Sequence, residues 1–434
     1  MIKTNYFLKL CKKIKSQEAL IGVIGIGYVG IQLLIQFNKA GIKTLGFDKD
    51  KIKISKLRKG ISPYSYIDNK KIKSLKKLSS YSNNFNKINL CDIIIICLPT
   101  PIKKNTQPDL SAIEVTIDKI KSRIKKGQLI ILESTTYPGT TREKIGRKLL
   151  NKFNIGKDIF LSYSPERVDP GNMRYTTKNT NKVVGGVGKK SLNVAKTFYN
   201  ETIDHVVPVS SAKIAEMVKV YENTYRAVNI ALVNEMMLLC DRMEINVWEM
   251  LEAAFTKPFG ISPFFPGPGV GGHCIPLDPH YLEWKAREYD FKTRFIELAG
   301  DINRSMPQFV YQKIIRLLNS NKKTLSNARI LVVGMAYKSN LPDYRESPSL
   351  EIFKLLYKDC KMVEYHDNYV KSIELNEKIL KSTNLTKLGL YDLIVITTGH
   401  SYINYKKIIK NSQLILDTRN ATKNIPHKGN VVLL

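Results

Sequence analysis

Ile21-Gly22-Val23-Ile24-Gly25-Ile26-Gly27-Tyr28-Val29-Gly30 decides the fold. An apolar run ends in G-x-G-x-x-G, and the amphipathic stretch 31–39 follows at once, which is the strand, tight turn and helix start of a dinucleotide-binding Rossmann unit. The three glycines have separate tasks. Gly25 permits the turn, Gly27 admits a pyrophosphate to the backbone, and Gly30 lets helix and strand pack closely. The pyrophosphate then rests on the helix N-terminus, beside Tyr28 and Val29. The next apolar run ends at Asp48, eighteen residues past Gly30, where a carboxylate accepts ribose hydroxyls and repels a 2′-phosphate. NAD is expected rather than NADP, with Lys49, Lys51 and Lys53 nearby as the contrary signal.

Outward from this turn, strand-like runs at 20–25, 44–48, 91–98, 128–133, 159–163 and 205–209 alternate with helix-length segments. Near-continuous apolar strands separated by helices predict a parallel sheet covered on both faces, ending near Ser210. Residues 211–257 contain neither Gly nor Pro, and Ile214, Met217, Val218, Tyr221, Tyr225, Val228 and Leu232 recur at helical spacing. One long helix to about Cys240 and another over 247–255 follow, with the break at 241–246. Helical pattern resumes over 280–319. A second α/β unit starts at Ala328, with strands predicted at 362–366, 393–397, 414–417 and 431–434. The fold class is therefore α/β: two Rossmann-like, doubly wound domains joined by a central helical domain with a long helix. The predicted parts are a basic N-terminal extension, 1–19, an NAD-binding domain, 20–210, a central helical domain, 211–319, and a C-terminal Rossmann-like domain, 320–434.

Composition excludes several classes. The chain has 434 residues, 43% hydrophobic and 25% charged, which is ordinary globular usage. Its longest apolar run, Ile93 to Leu98, is far short of the ~18 residues of a membrane span. Residues 1–17 are basic but lack the unbroken apolar core of a signal peptide, so a cytoplasmic location is expected. The net charge of +31 comes from lysines spread along the whole chain rather than from an Arg-rich stripe with aromatics. It reads as a solvated surface that also attracts anionic substrates, with no nucleic-acid and no membrane partner. The six cysteines form neither a disulfide framework nor a C-x-x-C pair, and Cys91 and Cys97 read as core filler.

Pro266-Gly-Pro-Gly-Val-Gly-Gly-His-Cys-Ile-Pro-Leu-Asp-Pro279 is the stretch richest in chemistry. An ordered Gly/Pro loop of this length inside a compact chain is usually functional. Cys274 follows the glycines and precedes Asp278 by four residues, whereas Cys240 and Cys360 lie in amphipathic patterns. His273, Cys274, Asp278 and His280 do not make a metal site, because adjacent ligands chelate poorly and no second Cys/His cluster exists; no metal is expected.

With these residues in place the chain resembles the UDP-glucose/GDP-mannose dehydrogenase family over nearly its full length. The matching segments are 22–30, Leu98-Pro-Thr-Pro101, Glu133-Ser-Thr-Thr136, Ser164-Pro-Glu-Arg167, Lys219-Val-Tyr-Glu-Asn223, Gly271-Gly-His-Cys274 and Lys338 through Pro348. The resemblance implies oxidation of a nucleotide-sugar C6 alcohol to a carboxylate in two NAD-dependent steps. It places Lys219, Asp278 and an ordered water at the first, and makes Cys274 the nucleophile of the second. An aldehyde cannot give up a hydride to become an acid until a nucleophile makes it tetrahedral, so a thiol is a chemical requirement. Lys219 and Asn223, one turn apart, are implied to stabilise the oxyanion. Apolar neighbours, Met217, Val218 and Tyr221, speak against a solvated Lys219. Glu166 is implied in thioester hydrolysis, with Thr135 at the nicotinamide side.

The resemblance also assigns Gly25, Gly27, Tyr28, Val29, Gly30, Asp48, Lys53, Thr100, Thr135 and Arg345 to the cofactor. To the UDP-sugar it assigns Glu166, Arg167, Lys219, Asn223, Phe264, Phe265, Gly269, Lys338 and Arg419. Gly334-Met-Ala-Tyr-Lys338 opens like a Rossmann turn but lacks the second and third glycines, so a second dinucleotide is not expected. A homodimer through the long helix is implied. Ser164 to Asn172 resembles the N-acetylhexosamine branch, and Val168-Asp-Pro-Gly-Asn172 resembles the N-acetylglucosamine enzymes of that branch, which serve surface polysaccharide synthesis, more than the N-acetylmannosamine ones. A catalytically silent nucleotide-sugar-binding protein stays open as the alternative from another class.

Overall fold

The computed structural model describes residues 5–64, 67–103, 107–167, 174–272 and 274–434. The chain forms two compact units, one of Met1–Glu222 with His280–Lys292 and one of Asn223–Pro279 with Thr293–Leu434. The first contains α1 (Tyr6–Lys15), β1 (Ile21–Ile24), α2 (Tyr28–Lys39), β2 (Thr44–Phe47), α3 (Lys51–Lys59), α4 (Asn69–Leu75), β3 (Ser79–Ser82) and β4 (Ile93–Ile96). It continues with α5 (Ser111–Ile120), β5 (Leu129–Leu132), a π-helical turn over Thr141–Gly146 leading into α6 (Arg147–Leu150), β6 (Phe160–Tyr163), β7 (Lys182–Gly186), α7 (Lys189–Asn200) and β8 (Val206–Val209). Its eight strands lie in the order β3-β2-β1-β4-β5-β6-β7-β8. The first six are parallel in Rossmann order, and β7 runs antiparallel to β6.

All four residues of β1, β2, β4, β5 and β6 are buried, as helices on both faces require. Two apolar layers sandwich this sheet. Ile31, Leu34 and Phe37 of α2 pack on one face, and Ile113 and Ile117 of α5 on the other. The N-terminal extension joins this core: Leu10 and Ile14 of α1 are buried, Phe7 meets the Phe160 ring at 6.2 Å, and Lys13 pairs with Asp92 at 2.9 Å.

The long helix α8 (Ala212–Met243) begins in the first unit and continues through the second, and Asn246 caps α9 (Val247–Ala254). After the Gly/Pro loop come α10 (Asp278–Ala286) and α11 (Arg294–Ser320). The second sheet is built from β9 (Arg329–Val333), β10 (Met362–His366), β13 (Leu393–Ile396), β14 (Ile415–Asp417) and β15 (Val431–Leu433), with α12 (Pro348–Asp359) and α13 (Tyr405–Asn411) between its strands. These strands are all parallel in the order β10-β9-β13-β14-β15, a second doubly wound sheet. A separate hairpin pairs β11 (Ser372–Leu375) with β12 (Lys378–Lys381). Buried Val233, Met237 and Trp248 share one core with Met306, Val310, Ile330 and Val332, so the later part of α8, α9, α11 and the second sheet fold as one body. Among the described residues no helix is long and apolar enough to cross a membrane.

Candidate active site

The glycine turn sits at the carboxyl end of β1. Gly25 has φ +90°, and a Cβ there would lie 2.4 Å from the Cys97 carbonyl oxygen; a Cβ on Gly30 would lie 2.0 Å from that of Gly25. Neither position accepts a side chain. Around Gly27 nothing stands within 4 Å of a Cβ, so the start of α2 is open to an incoming phosphate. Asp48 is buried beside the turn, where Oδ2 accepts the Ile26 N–H at 3.1 Å and pairs with Lys53 at 2.7 Å, and Oδ1 accepts the Asp50 N–H at 3.0 Å. The lysine that argued for a 2′-phosphate is thus neutralised by the acid itself. This geometry fits NAD.

Thr100 and Thr135, at the carboxyl ends of β4 and β5, are joined by the Thr100 hydroxyl donating to the Thr135 carbonyl at 2.8 Å. Glu166 follows β6. Its Oε1 accepts the Arg167 N–H at 3.0 Å and its Oε2 lies 3.4 Å from the Lys182 ammonium. Lys182 in turn pairs with buried Glu133 at 2.8 Å. Arg167 forks onto Glu222 of α8 at 2.5 and 3.3 Å and donates to the Asn181 carbonyl at 2.7 Å.

Lys219 is half-buried on α8. Of the apolar residues expected to shield it, Val218 packs against the core, whereas Met217 is 42% and Tyr221 63% exposed, because they line the outward stripe of the helix. Glu216, one turn before Lys219, is fully buried and accepts the backbone N–H of Gly139, the N–H of Thr141 at 2.7 Å and the Thr141 hydroxyl at 2.6 Å. Burial pushes its carboxyl up to about 7, against the pull of these donors.

In the second unit Cys274 is half-buried, and its carbonyl accepts the N–H groups of Leu277 at 3.1 Å and Asp278 at 2.8 Å, so a turn leads from the thiol straight into α10. Among the described residues none of the six cysteines is in a disulfide. Asp278 and Asn223 are both buried, and the Asn223 amide donates to the Asp278 carboxylate. The loop before Cys274 is held from α8, where the Asn234 carbonyl oxygen accepts the Gly267 N–H at 3.0 Å while its amide donates to Asn303 at 2.9 Å. The glycine density has a packing cause. A Cβ on Gly267 would come within 2.4 Å of the Arg419 guanidinium, one on Gly271 within 2.7 Å of Tyr337, and one on Gly269 within 3.2 Å of Pro348. Phe264 meets Tyr225 at 5.8 Å, and Phe265 stacks on Trp248 at 6.2 Å with its own ring half exposed.

Arg419, after β14, abuts this loop at Gly267, and Lys338 follows β9 of the same sheet. Arg419 donates through Nε to the Thr397 carbonyl at 3.1 Å; burial draws its guanidinium down to about 10, with Asp417 opposing. Arg345 is exposed and forked onto Asp343 of its own loop at 2.7 and 3.0 Å. The acid matching Asp48 at the end of β10 is Asp367, with all its capacity taken: Met335 and Ala336 N–H at 2.8 and 2.9 Å and His400 at 3.1 Å on Oδ2, and Tyr369 and Val370 N–H at 2.8 and 3.1 Å on Oδ1. Burial raises Asp367, but His400 and the N–H donors outweigh it and hold the carboxyl at about 2.

The chain matches the NAD binding domain of the UDP-glucose/GDP-mannose dehydrogenase family over residues 19–203, its central domain over 213–305 and its UDP binding domain over 331–424. It belongs to that family. This dehydrogenase is 32% identical to a UDP-N-acetyl-D-glucosamine 6-dehydrogenase of Pseudomonas aeruginosa, covering 92% of the chain and 96% of the relative. It is 35% identical to a UDP-N-acetyl-D-mannosamine dehydrogenase of Pyrococcus horikoshii, covering 94% and 96%. The solved structure of the UDP-D-ManNAc dehydrogenase from Pyrococcus horikoshii superposes with a TM-score of 0.86 at 32% identity, covering 95% of this chain and 98% of that one. The protein is an NAD-dependent nucleotide-sugar dehydrogenase.

Sequence reading quoted Glu133 and Glu222 within matching segments without giving them a role, and missed Lys182, Tyr199, Glu216 and Asn234. The available signals were a lysine heading an otherwise apolar strand and two acids within one turn of Lys219. Val168 to Asn172 and His273 lie outside the described residues.

Proposed function

We propose that the protein oxidises the C6 alcohol of UDP-N-acetylglucosamine to the uronate, as a cytoplasmic homodimer feeding surface polysaccharide synthesis. The observation that carries the reading is the Asn223–Asp278 hydrogen bond on the segment that bears Cys274, which gathers an amide, a carboxylate and a thiol of the implied chemistry in one unit. Similarity to enzymes named for N-acetylated UDP-sugars supports the substrate class. In this assignment residues 20–210 hold NAD through Gly25, Gly27, Gly30, Asp48, Lys53, Thr100 and Thr135. Residues 211–319 carry the reactive loop, and 320–434 hold the UDP-sugar through Lys338 and Arg419.

When bound there, NAD would supply the hydride acceptor for both oxidations. Asp278, through water, takes the hydroxyl proton in the first while Lys219 and Asn223 stabilise the oxyanion. The Cys274 sulfur then bonds to the aldehyde carbon, and the resulting thiohemiacetal is oxidised to a thioester. Glu166 takes a proton from water as the water oxygen bonds to the acyl carbon; the C–S bond then breaks and that proton passes to the sulfur, restoring the thiol.

Following NADH formation over a panel of UDP- and GDP-sugars tests this. UDP-N-acetylglucosamine should give the highest kcat/KM and two NADH per acid formed. A preference for the mannosamine epimer would overturn the sugar, one NADH with trapped aldehyde would overturn the four-electron reaction, and no turnover on any sugar would favour a binding protein.

A further inference from the structure

Glu166 stands at the carboxyl edge of the parallel sheet because it follows β6. A lysine heading the next strand of an all-parallel sheet would start at the opposite edge. Here β7 reverses: Ser162 pairs with Gly186 and Tyr163 with Gly185, antiparallel. Continued past the end of β6, the same register sets position 166 against position 182. The Ser164 hydroxyl, donating to the Val183 carbonyl at 2.8 Å, ties the two segments together on the way.

The lysine so delivered is enclosed. Its side chain is 5% exposed, with Glu133 at 2.8 Å and Glu166 at 3.4 Å. Glu133 has no exposed side-chain surface, and its second oxygen accepts the Tyr199 hydroxyl of α7, so it cannot turn away from the ammonium. The Tyr199 ring lies 5.3 Å from the ammonium, and the buried Cys97 thiol closes the cluster from the end of β4. Burial alone pulls Lys182 down; Glu133 and Glu166 outweigh it, and the group stays charged. One cation thus faces two carboxylates, one locked and buried, the other at the mouth of the cluster and 16% exposed.

We infer that Lys182 is a positioning residue for the hydrolytic half of the reaction: backed by Glu133 and Tyr199, it fixes Glu166 in place and keeps it ionised to take the proton of the attacking water. This rests on the proposed role of Glu166. Nothing in it requires Lys182 to touch the substrate.

The test uses the full-length enzyme with NAD and the best sugar of the panel, and reads NADH bursts, intact mass and the pH profile of steady-state turnover. Lys182→Met should form the first NADH at the wild-type rate, accumulate an acyl adduct on Cys274 and lose at least tenfold in turnover. The acidic limb of its profile should move up by about one pH unit or more, because a neutral neighbour no longer favours the carboxylate. Lys182→Arg should restore much of the turnover and the profile. Since Lys182→Met leaves Glu133 buried without its cation, the double variant Lys182→Met/Glu133→Gln removes that charge and should show the same adduct, with a smaller upward shift of the limb because a repelling carboxylate leaves together with the cation. Wild-type adduct decay in the double variant would overturn the positioning role, provided Glu166→Gln accumulates the adduct. If Glu166→Gln accumulates none, the hydrolytic role of Glu166 fails first and the inference falls with it.

Discussion

The Glu216 carboxylate on α8 accepts both the N–H and the hydroxyl of Thr141, at 2.7 and 2.6 Å, with no cation among its hydrogen-bond partners in the described residues. It caps the π-helical turn from outside, with helix-terminus dipoles as the compensation for a buried charge.

A carboxyl raised from 4.5 to about 7 binds its proton more tightly folded than unfolded, so it subtracts stability as pH rises between those values. Glu216→Gln has no such dependence. Its stability relative to the wild type should climb by about 3 kcal/mol between pH 4.5 and 8, at ~1.36 kcal/mol per unit. Paired denaturant titrations across this range measure it, and a constant difference would refute the raised carboxyl.

Cys274→Ser should bind NAD and UDP-sugar but lose acid formation by orders of magnitude, since a serine hydroxyl is a far weaker nucleophile near neutral pH. Glu166→Gln should give an NADH burst and then stall as a covalent adduct visible by intact mass. Wild-type turnover in the serine variant would remove the thiol from the chemistry.

Asn234 is fully buried and bonds at once to Gly267 and Asn303. Asn234→Ala leaves the buried Gly267 N–H unpaired, at ~1–3 kcal/mol, and takes the half-buried Asn303 carbonyl's partner as well. A lowered Tm and faster alkylation of Cys274 are expected, although Asn234 is assigned no part in the chemistry. Unchanged alkylation would mean the loop is held without it.

Ile214, Met217, Tyr221, Tyr225, Leu232, Leu239 and Met243 form one exposed stripe along α8. Contiguous apolar surface of this kind marks an interface. Leu232→Glu with Leu239→Glu should sediment as a monomer at a concentration where the wild type is a dimer. A wild type that is itself monomeric at micromolar concentration would end the dimer proposal.

What the sequence made legible was whatever burial or chemistry imposes locally. Isoleucine-rich β4 and the helical spacing of 211–257 are visible because one parallel strand and one helix each carry their own apolar signature. β3 is the polar edge strand Ser79–Ser82, and β7 opens on a lysine and closes on two glycines, so neither has that signature. Hairpin β11–β12, outside both main sheets, is hidden for the same reason. In the candidate site, Cys274, Asp278 and Asn223 stand out by residue type and spacing. Lys182, Glu216 and Asn234 do not, because each acts through a partner between 16 and 77 positions away that only the fold brings near.

The two sheets answer the same chemical question differently at the ends of their second strands. Asp48 keeps a lysine that a ribose can replace or share, whereas Asp367 has given every lone pair to its own backbone and to His400. Only the first sheet can therefore read a ribose diol through an acid. In inhibitor kinetics the consequence is a clean partition: ADP-ribose should compete with NAD and act noncompetitively toward the UDP-sugar, and Asp48→Ala should weaken that inhibition while Asp367→Asn leaves its pattern unchanged.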